Sequence, residues 1–139
     1  MKAFIDTNIF IYAQDEVDTV KTQKARELLL KLIKSRSGCI STQVIQEFCN
    51  VALKKSVIPL KPSDVSEIID ELLLPILVHT ADGRFYKRAL KLYERYSLSF
   101  YDSTIVQAAV DLNCDLIYSE DMQNGAHYNG VTVVNPFVK

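Results

Sequence analysis

Asp6, Glu47, Asp102 and Asp121 are the residues of this 139-residue chain whose types and spacing could do chemistry. Each falls where a buried strand is expected to end or a helix to begin, the part of an α/β fold where ligands gather. Asp6 closes the apolar start Ala3-Phe4-Ile5 and opens Asp6-Thr7-Asn8, and Asp121 follows Leu116-Ile117-Tyr118-Ser119-Glu120 in the same manner. Glu47 and Asp102 are expected in the first turns of helices. Segments this far apart in sequence can be brought together only by the fold, and together they would make a carboxylate pocket for a metal ion. Hard oxygen donors with no neighbouring His or Cys cluster favour Mg²⁺ or Mn²⁺ over Zn²⁺, whose usual sites need nitrogen or sulfur. His79 and His127 stand outside the pattern. Four crowded carboxylates repel one another and retain protons unless a cation neutralises them, so metal affinity is expected to fall at mildly acidic pH.

Each acid also has an ordinary structural reading. Asp6 fits an Asx turn or the N-cap of a helix carrying Ile9, Phe10 and Ile11, yet an acid abutting an apolar strand loses solvation unless donors or a cation compensate. Ser99-Phe100-Tyr101-Asp102 has the form of a capping box, opening a helix with Ile105, Ala108, Ala109 and Leu112 inward. At 100° per residue, however, Asp102 lies near the edge of that inward stripe and not opposite it. Glu47 flanks the apolar face between Val44 and Val51, where a solvated position is common. Asp121 reads equally as a turn residue in Glu120-Asp121-Met122-Gln123-Asn124-Gly125. What favours a site is the conjunction: all four ordinary readings would have to deliver their acids to the same end of the fold.

The elements that must position these acids alternate between short apolar runs and longer helical patterns, which argues for a parallel sheet covered by helices. Strands are expected at Ala3 to Ile5, Cys39 to Ser41, Ile76 to Val78, Leu116 to Tyr118 and Val131 to Val134. Ala25, Leu28, Leu29, Leu32 and Ile33 recur at helical spacing and end near Ser37-Gly38. Val44, Ile45, Phe48, Val51 and Ala52 form a second set that stops before Pro59. Pro62 suits the first turn of a third helix, running to about Leu74 and ending at Pro75. From Asp82 to Tyr96, Phe85, Ala89, Leu92 and Tyr96 share one face while Arg84, Arg88, Lys91 and Arg95 share another. That basic stripe is either a solvated helix face or a rim that contacts phosphates without reading sequence.

The composition bounds these readings. One domain spanning residues 1–139 is expected, long enough to bury roughly 68% of its unfolded surface without staples. Apolar residues make up 48% and charged residues 24%, which excludes a disordered or acidic-tail protein. The formal net charge of −1 leaves no broad basic surface, so any nucleic-acid contact must come from a local patch. Cys39, Cys49 and Cys114 are odd in number, widely spaced and set among apolar residues, as reduced cysteines of a cytosolic protein are. No leader pattern and no membrane-length apolar run is present in the sequence, so a cytoplasmic location is expected.

Met1 to Asn8, Gln46-Glu47-Phe48-Cys49-Asn50-Val51, Tyr101-Asp102-Ser103 with Ala108-Ala109, and Leu116-Ile117-Tyr118-Ser119-Glu120-Asp121 together resemble the motifs of PIN domains, especially toxins of the VapC type. The resemblance covers nearly the whole chain and lies in the order and spacing of the motifs. It implies a three-layer α/β/α fold around a mostly parallel five-stranded sheet, and a Mg²⁺- or Mn²⁺-dependent endoribonuclease. Asp6, Glu47, Asp102 and Asp121 match the family's acidic positions, and the register picks Asp121 over Glu120. Asn8 and Ser119 match supporting polar positions, Ser119 keeping the hydroxyl of the family's more usual Thr. A toxin further implies an RNA substrate and a small antitoxin folding onto a groove near the site, and a homodimer is expected, its seam formed by exposed apolar residues among Ile9, Phe10, Ile11, Tyr12 and the helix from Val65 to Leu74. Two other classes compete: a PIN-like binding module, against which the complete acid set argues, and a phosphotransfer enzyme on a similar sheet. The latter would want Asp-x-Asp after the first strand, where Asn8 lacks the second carboxylate.

Overall fold

The computed structural model describes residues 1–54 and 59–138. Its strands are β1 (Ala3–Ile5), β2 (Gly38–Ser41), β3 (Leu77–His79), β4 (Leu116–Tyr118), β5 (His127–Tyr128) and β6 (Val131–Val134). Its α-helices are α1 (Thr7–Asp15), α2 (Thr19–Lys34), α3 (Thr42–Lys54), α4 (Pro62–Ile68), α5 (Gly83–Tyr96) and α6 (Phe100–Asp111). The sheet order is β3-β2-β1-β4-β6-β5, parallel throughout except for β5, which pairs antiparallel with β6. β1 has β2 on one side and β4 on the other. The chain therefore reverses its direction of winding at β1, and the crevice beyond the carboxyl ends of β1 and β4 is the topological switch point. Asp6 and Ser119 directly follow those two strands.

The core explains why such short strands suffice. Ala3, Phe4 and Ile5 are all buried, as expected of a strand covered on both faces. Phe4, Ile9, Phe10, Phe48, Val106, Ile117 and Val133 join them in one apolar cluster, each large side chain contributing about 1.5–3 kcal/mol by leaving water. α1 packs on α2 and α3, and α5 packs on α6. At the start of β2, Gly38 allows close approach: a Cβ there would sit 2.9 Å from Ile5 Cδ1 and 3.2 Å from Leu32 Cβ.

The α/β architecture matches expectation, with three differences. The sheet has six strands because His127 and Tyr128 fold back through Asn129-Gly130, whose φ values of +46° and +90° suit a two-residue hairpin turn. β3 begins one residue later than expected. The helix from Pro62 is regular only to Ile68, then widens into a π turn over Ile69–Leu73 and tightens into a 3₁₀ turn over Leu74–Ile76. Pro75 is the cause: it offers no N–H to the ladder and its ring crowds the carbonyl four residues back. The expected stop of α3 before Pro59 falls in residues 55–58, outside the described residues.

The expected dimer seam needs correction. Ile9 and Phe10 are completely buried, and Val65 and Leu73 are core residues too, because α1 and α4 turn these side chains inward. Ile11 and Tyr12 are half-buried, and of the apolar residues described on that helical segment only Leu74 is broadly exposed, together with Val78 on the edge strand β3.

Candidate active site

The site is organised by three consecutive residues. Asp6 is buried and caps α1: one carboxylate oxygen accepts the Thr7 N–H at 2.8 Å, and Oδ2 accepts the Ser119 hydroxyl at 2.7 Å. The cap and the candidate site are thus the same carboxylate. Thr7 then turns its hydroxyl to Glu47 Oε2 at 2.9 Å, and Asn8 donates from Nδ2 to Asp121 Oδ2 at 3.1 Å. The Asn8 side-chain Oδ1 accepts the Glu120 N–H at 3.2 Å, which ties the loop after β4 back to α1. Asp6-Thr7-Asn8 therefore holds one acid itself and one acid from each of two distant elements.

Glu47 lies in the second turn of α3, not the first, because the helix starts immediately after β2 at Thr42. That shift brings Gln43 one turn before it, and Gln43 Nε2 donates to Glu47 Oε1 at 2.9 Å. The Thr104 hydroxyl of α6 donates in turn to Gln43 Oε1. Sequence reasoning singled out Asn8 and Ser119 as supports and missed Thr7, Gln43 and Thr104. The i,i+4 spacing of Gln43 and Glu47 was the one available signal.

Asp102 stands in the first turn of α6, with its N–H bonded to the Ser99 hydroxyl at 3.1 Å. Burial raises its pKa above the usual carboxylate range; the Ser99 hydrogen bond pulls the other way, and the charges of Asp121 and Glu47 push it up further. Asp6 is pushed up to about 6, chiefly by burial, with Glu47 and Asp121 adding repulsion and the Ser119 and Thr7 bonds opposing. The charges of Glu47 and Asp121 thus act on both Asp6 and Asp102.

Glu120 points elsewhere. Lys21 pairs with it at 2.6 Å and the Tyr12 hydroxyl donates to it at 2.5 Å, so its charge is already matched. Asp121 is the one of the two that Asn8 aims and that Asp6 and Asp102 sense. Beside the acids runs a groove of about 450 Å³, lined by Thr7, Asn8, Tyr12, Glu47, Asn50 and Asp121 among others.

The basic stripe of α5 divides. Arg88 bonds Asp111 at 2.8 Å, and Arg95 bonds Asn129 at 3.2 Å while lying over the Tyr96 ring. Arg84 and Lys91 are exposed. Among the described residues, no hydrogen bond or ion pair joins any of the four to the acids. His79 is buried against Phe85 and Asp111, and His127 bonds Thr132, so both imidazoles have structural partners. The three cysteines are free, with Cys39 and Cys114 Sγ atoms 3.3 Å apart inside the core.

Among the described residues, no group of three or more His, Cys, Asp and Glu side chains is arranged to hold a metal ion as it stands. Mg²⁺ asks less than that, commonly keeping several waters and taking one or two carboxylates directly. A buried Asp6 with a raised pKa, next to two further carboxylates, is a place where positive charge is missing. The residues fit a hydrated, hard dication.

A family model described as PIN domain matches residues 3–124, and the chain belongs to the PIN domain family. Comparison with curated proteins gives no match. Among solved structures, a chain of a toxin-antitoxin complex from Klebsiella pneumoniae is similar at 19% identity, covering 98% of each chain with a TM-score of 0.69. VapC20 of Mycobacterium tuberculosis, described as a sarcin-ricin-loop-cleaving toxin, is 16% identical over 94% of this chain and 99% of that one, with a TM-score of 0.66. FitAcB from Neisseria gonorrhoeae gives 15% identity, 97% and 98% coverage, and a TM-score of 0.62. At these identities the likeness is one of fold.

Proposed function

We propose that the protein is a divalent-metal-dependent endoribonuclease acting as the toxin of a type II toxin-antitoxin pair, with Asp6, Glu47, Asp102 and Asp121 as its metal-binding and catalytic acids. The observation that carries this reading is the relay through Asp6, Thr7 and Asn8, which gathers carboxylates from separate elements at the switch point of the sheet. Membership of the PIN family and the toxins among chains of similar fold support it.

A bound Mg²⁺ or Mn²⁺ would supply positive charge opposite the phosphodiester and lower the pKa of the attacking water. The chain's own residues supply alignment. Ser119 and the Thr7 N–H fix both oxygens of Asp6, Thr7 and Gln43 fix both oxygens of Glu47, and Asn8 fixes Asp121. Asp102, in the first turn of α6, adds a further negative charge within the influence of Asp121 and Glu47. Without a cation these charges would repel RNA; with one the site becomes a place to hold a phosphate. Arg84, Arg88, Lys91 and Arg95 are the candidate contacts for the flanking backbone.

The partners follow from the same reading: an RNA substrate, a small antitoxin seated in the groove beside Asn8 and Asn50, a second copy of the chain, and a cytoplasmic setting. No helix among the described residues is long and apolar enough to cross a membrane. For the dimer, the exposed Leu74 and Val78 replace the seam drawn from α1. Sedimentation at micromolar concentration is expected to return twice the chain mass; a monomer would remove the dimer from the proposal.

The test of the activity is incubation of antitoxin-free protein with total RNA and with structured synthetic RNAs, in Mg²⁺, Mn²⁺ or EDTA. Cleavage with either ion and none in EDTA is the expected result, and its absence under every metal would favour a binding module. Thr7→Val keeps the side-chain shape and deletes the donor to Glu47. Losing a bond that orients a metal ligand typically costs about 10–100-fold in affinity or activity. That loss is expected in Mn²⁺ titration calorimetry and in cleavage rate, while thermal melting moves by only the ~1 kcal/mol of one hydrogen bond.

A further inference from the structure

A second, smaller cavity of about 200 Å³ opens beside the acids, between α3, α5 and the start of α6. Its walls differ from those of the acidic groove. Tyr86, Phe100 and Tyr101 line it while being 46%, 39% and 67% exposed, an unusual concentration of open aromatic surface for one small hollow. Phe85 and His79, buried with ring centroids 4.6 Å apart and tilted at 57°, also line it. The polar lining comes from Thr42, Gln43 and Gln46 of α3, with Ser41, His79 and Thr104 beside them. Two links tie the cavity to the acids: Gln43 lines it and also donates to Glu47, and Tyr101 lines it and precedes Asp102.

We propose that this cavity is a base-binding subsite, in which one unstacked RNA base next to the scissile phosphate stacks on Tyr101 and Tyr86 and is read along its edge by the Gln43 and Gln46 amides. The inference rests on the nuclease reading above and goes further by naming what selects the cut. Size argues for it: whole small-molecule sites are roughly 300–1,000 Å³, so a smaller hollow suits one flat ring of a longer ligand. Chemistry argues for it as well. Bases of single-stranded RNA are held by stacking on aromatic rings and by hydrogen bonds to their edges, and an amide offers both donor and acceptor. No Lys, Arg, Asp or Glu side chain lines the cavity, which suits an uncharged base. Thr104 fixes one face of the Gln43 amide, which limits how that side chain can turn and so favours particular base edges.

The test has two arms that fail separately. In EDTA with about 0.15 M salt, which screens the repulsion of the acids beyond ~8 Å, binding of four fluorescein-labelled single-stranded hexaribonucleotides, one of each base, is followed by anisotropy. Tyr101→Ala and Tyr86→Ala are expected to bind about 5- to 100-fold more weakly, the range of one lost stacking partner, while Tyr101→Phe binds as the parent does. Gln46→Ala is expected to flatten the preference among the four oligomers. In Mn²⁺, mapped cleavage sites are expected to lose base selectivity in Tyr86→Ala and Gln46→Ala, with the deficit carried by KM. Pocket-dependent binding without any metal-dependent cleavage would leave the subsite standing and sink the nuclease reading. Cleavage by all variants at the parent's sites with the parent's KM, or oligomer binding that ignores Tyr86, Tyr101 and Gln46, would overturn the subsite itself. So would a failure of the parent to bind any of the four oligomers.

Discussion

Asp6→Asn and Asp102→Asn proteins are expected to stay folded and to lose metal-dependent RNA cleavage by at least about 100-fold, the scale on which displacing or misaligning metal-site groups acts. Asparagine fits at position 6 because its carbonyl can keep the Thr7 N–H and the Ser119 hydroxyl can rotate to accept from the amide. What disappears is the charge. At position 102, asparagine gives up a negative charge in the first turn of α6, which costs about 0.3–1 kcal/mol of helix stability and leaves the inward face of the helix intact. Circular dichroism and melting confirm the fold, and gel analysis of cleaved RNA measures the effect. The control is Glu120→Gln. Glu120 has its own cation in Lys21, so its loss removes a solvent-screened ion pair of little weight and leaves cleavage within a few-fold of the parent. If Glu120→Gln fails as badly as Asp121→Asn, the assignment of the two neighbouring acids is reversed. If Asp6→Asn and Asp102→Asn both cut like the parent, the acids are not the site.

The fold was legible where apolar pattern and length agree. β1 is a continuous apolar run buried on both faces, and β2, β4 and β6 are short, mostly apolar runs bounded by polar residues. α5 was equally plain, since its charged and apolar residues separate at helical spacing. β5 was not found, although Asn129-Gly130 is a strong turn signal. Its strand is two residues long and one of them, His127, is exposed and polar, so no periodicity can develop. The end of the third helix failed differently: Leu72, Leu73 and Leu74 continue the helical pattern, and only the backbone consequence of Pro75 converts it into π and 3₁₀ turns.

The site was legible as residue types and not as bonds. Four acids near element ends point to a cluster, but which hydroxyl or amide holds each carboxylate depends on side-chain directions that sequence does not encode locally. Thr7 illustrates this. In sequence it is an unremarkable residue between two candidates, while in three dimensions it is the only one of the three that reaches α3. The seam proposed from Ile9 and Phe10 failed for the complementary reason: an apolar run at a helix start is equally suited to core and to interface, and the packing of α1 on α2 and α3 decides for core.

The metal-free protein is expected to become less stable as pH rises through the mildly acidic range, and Asp6→Asn is expected to abolish that decline. The ordinary value for an aspartate is 3.8, and in the folded chain Asp6 is pushed up to about 6 by burial. The folded state therefore binds this proton more tightly than the unfolded chain does. Stability contributed by the group is fully present below about pH 4, falls as pH rises to about 6, and levels off above, where a gap of this size corresponds to a loss of about 3 kcal/mol. For a chain of this length each kcal/mol moves the melting temperature by about 3–4 °C, so the variant is expected to melt several degrees above the parent at pH 7 in EDTA. Mn²⁺ works in the opposite direction, since it binds the ionised carboxylate. Apparent affinity for Mn²⁺ in the parent is expected to fall about tenfold between pH 7 and pH 5 as Asp6 takes up its proton, and excess metal at pH 7 is expected to restore the lost stability. Melting curves from pH 4 to 8, with and without Mn²⁺, read both effects. Destabilisation and metal affinity then have one origin, a carboxylate kept charged against its surroundings until a cation arrives. A parent whose Mn²⁺ affinity is flat from pH 5 to 8, and which melts no lower than Asp6→Asn in EDTA, would separate the two and remove Asp6 from the metal site.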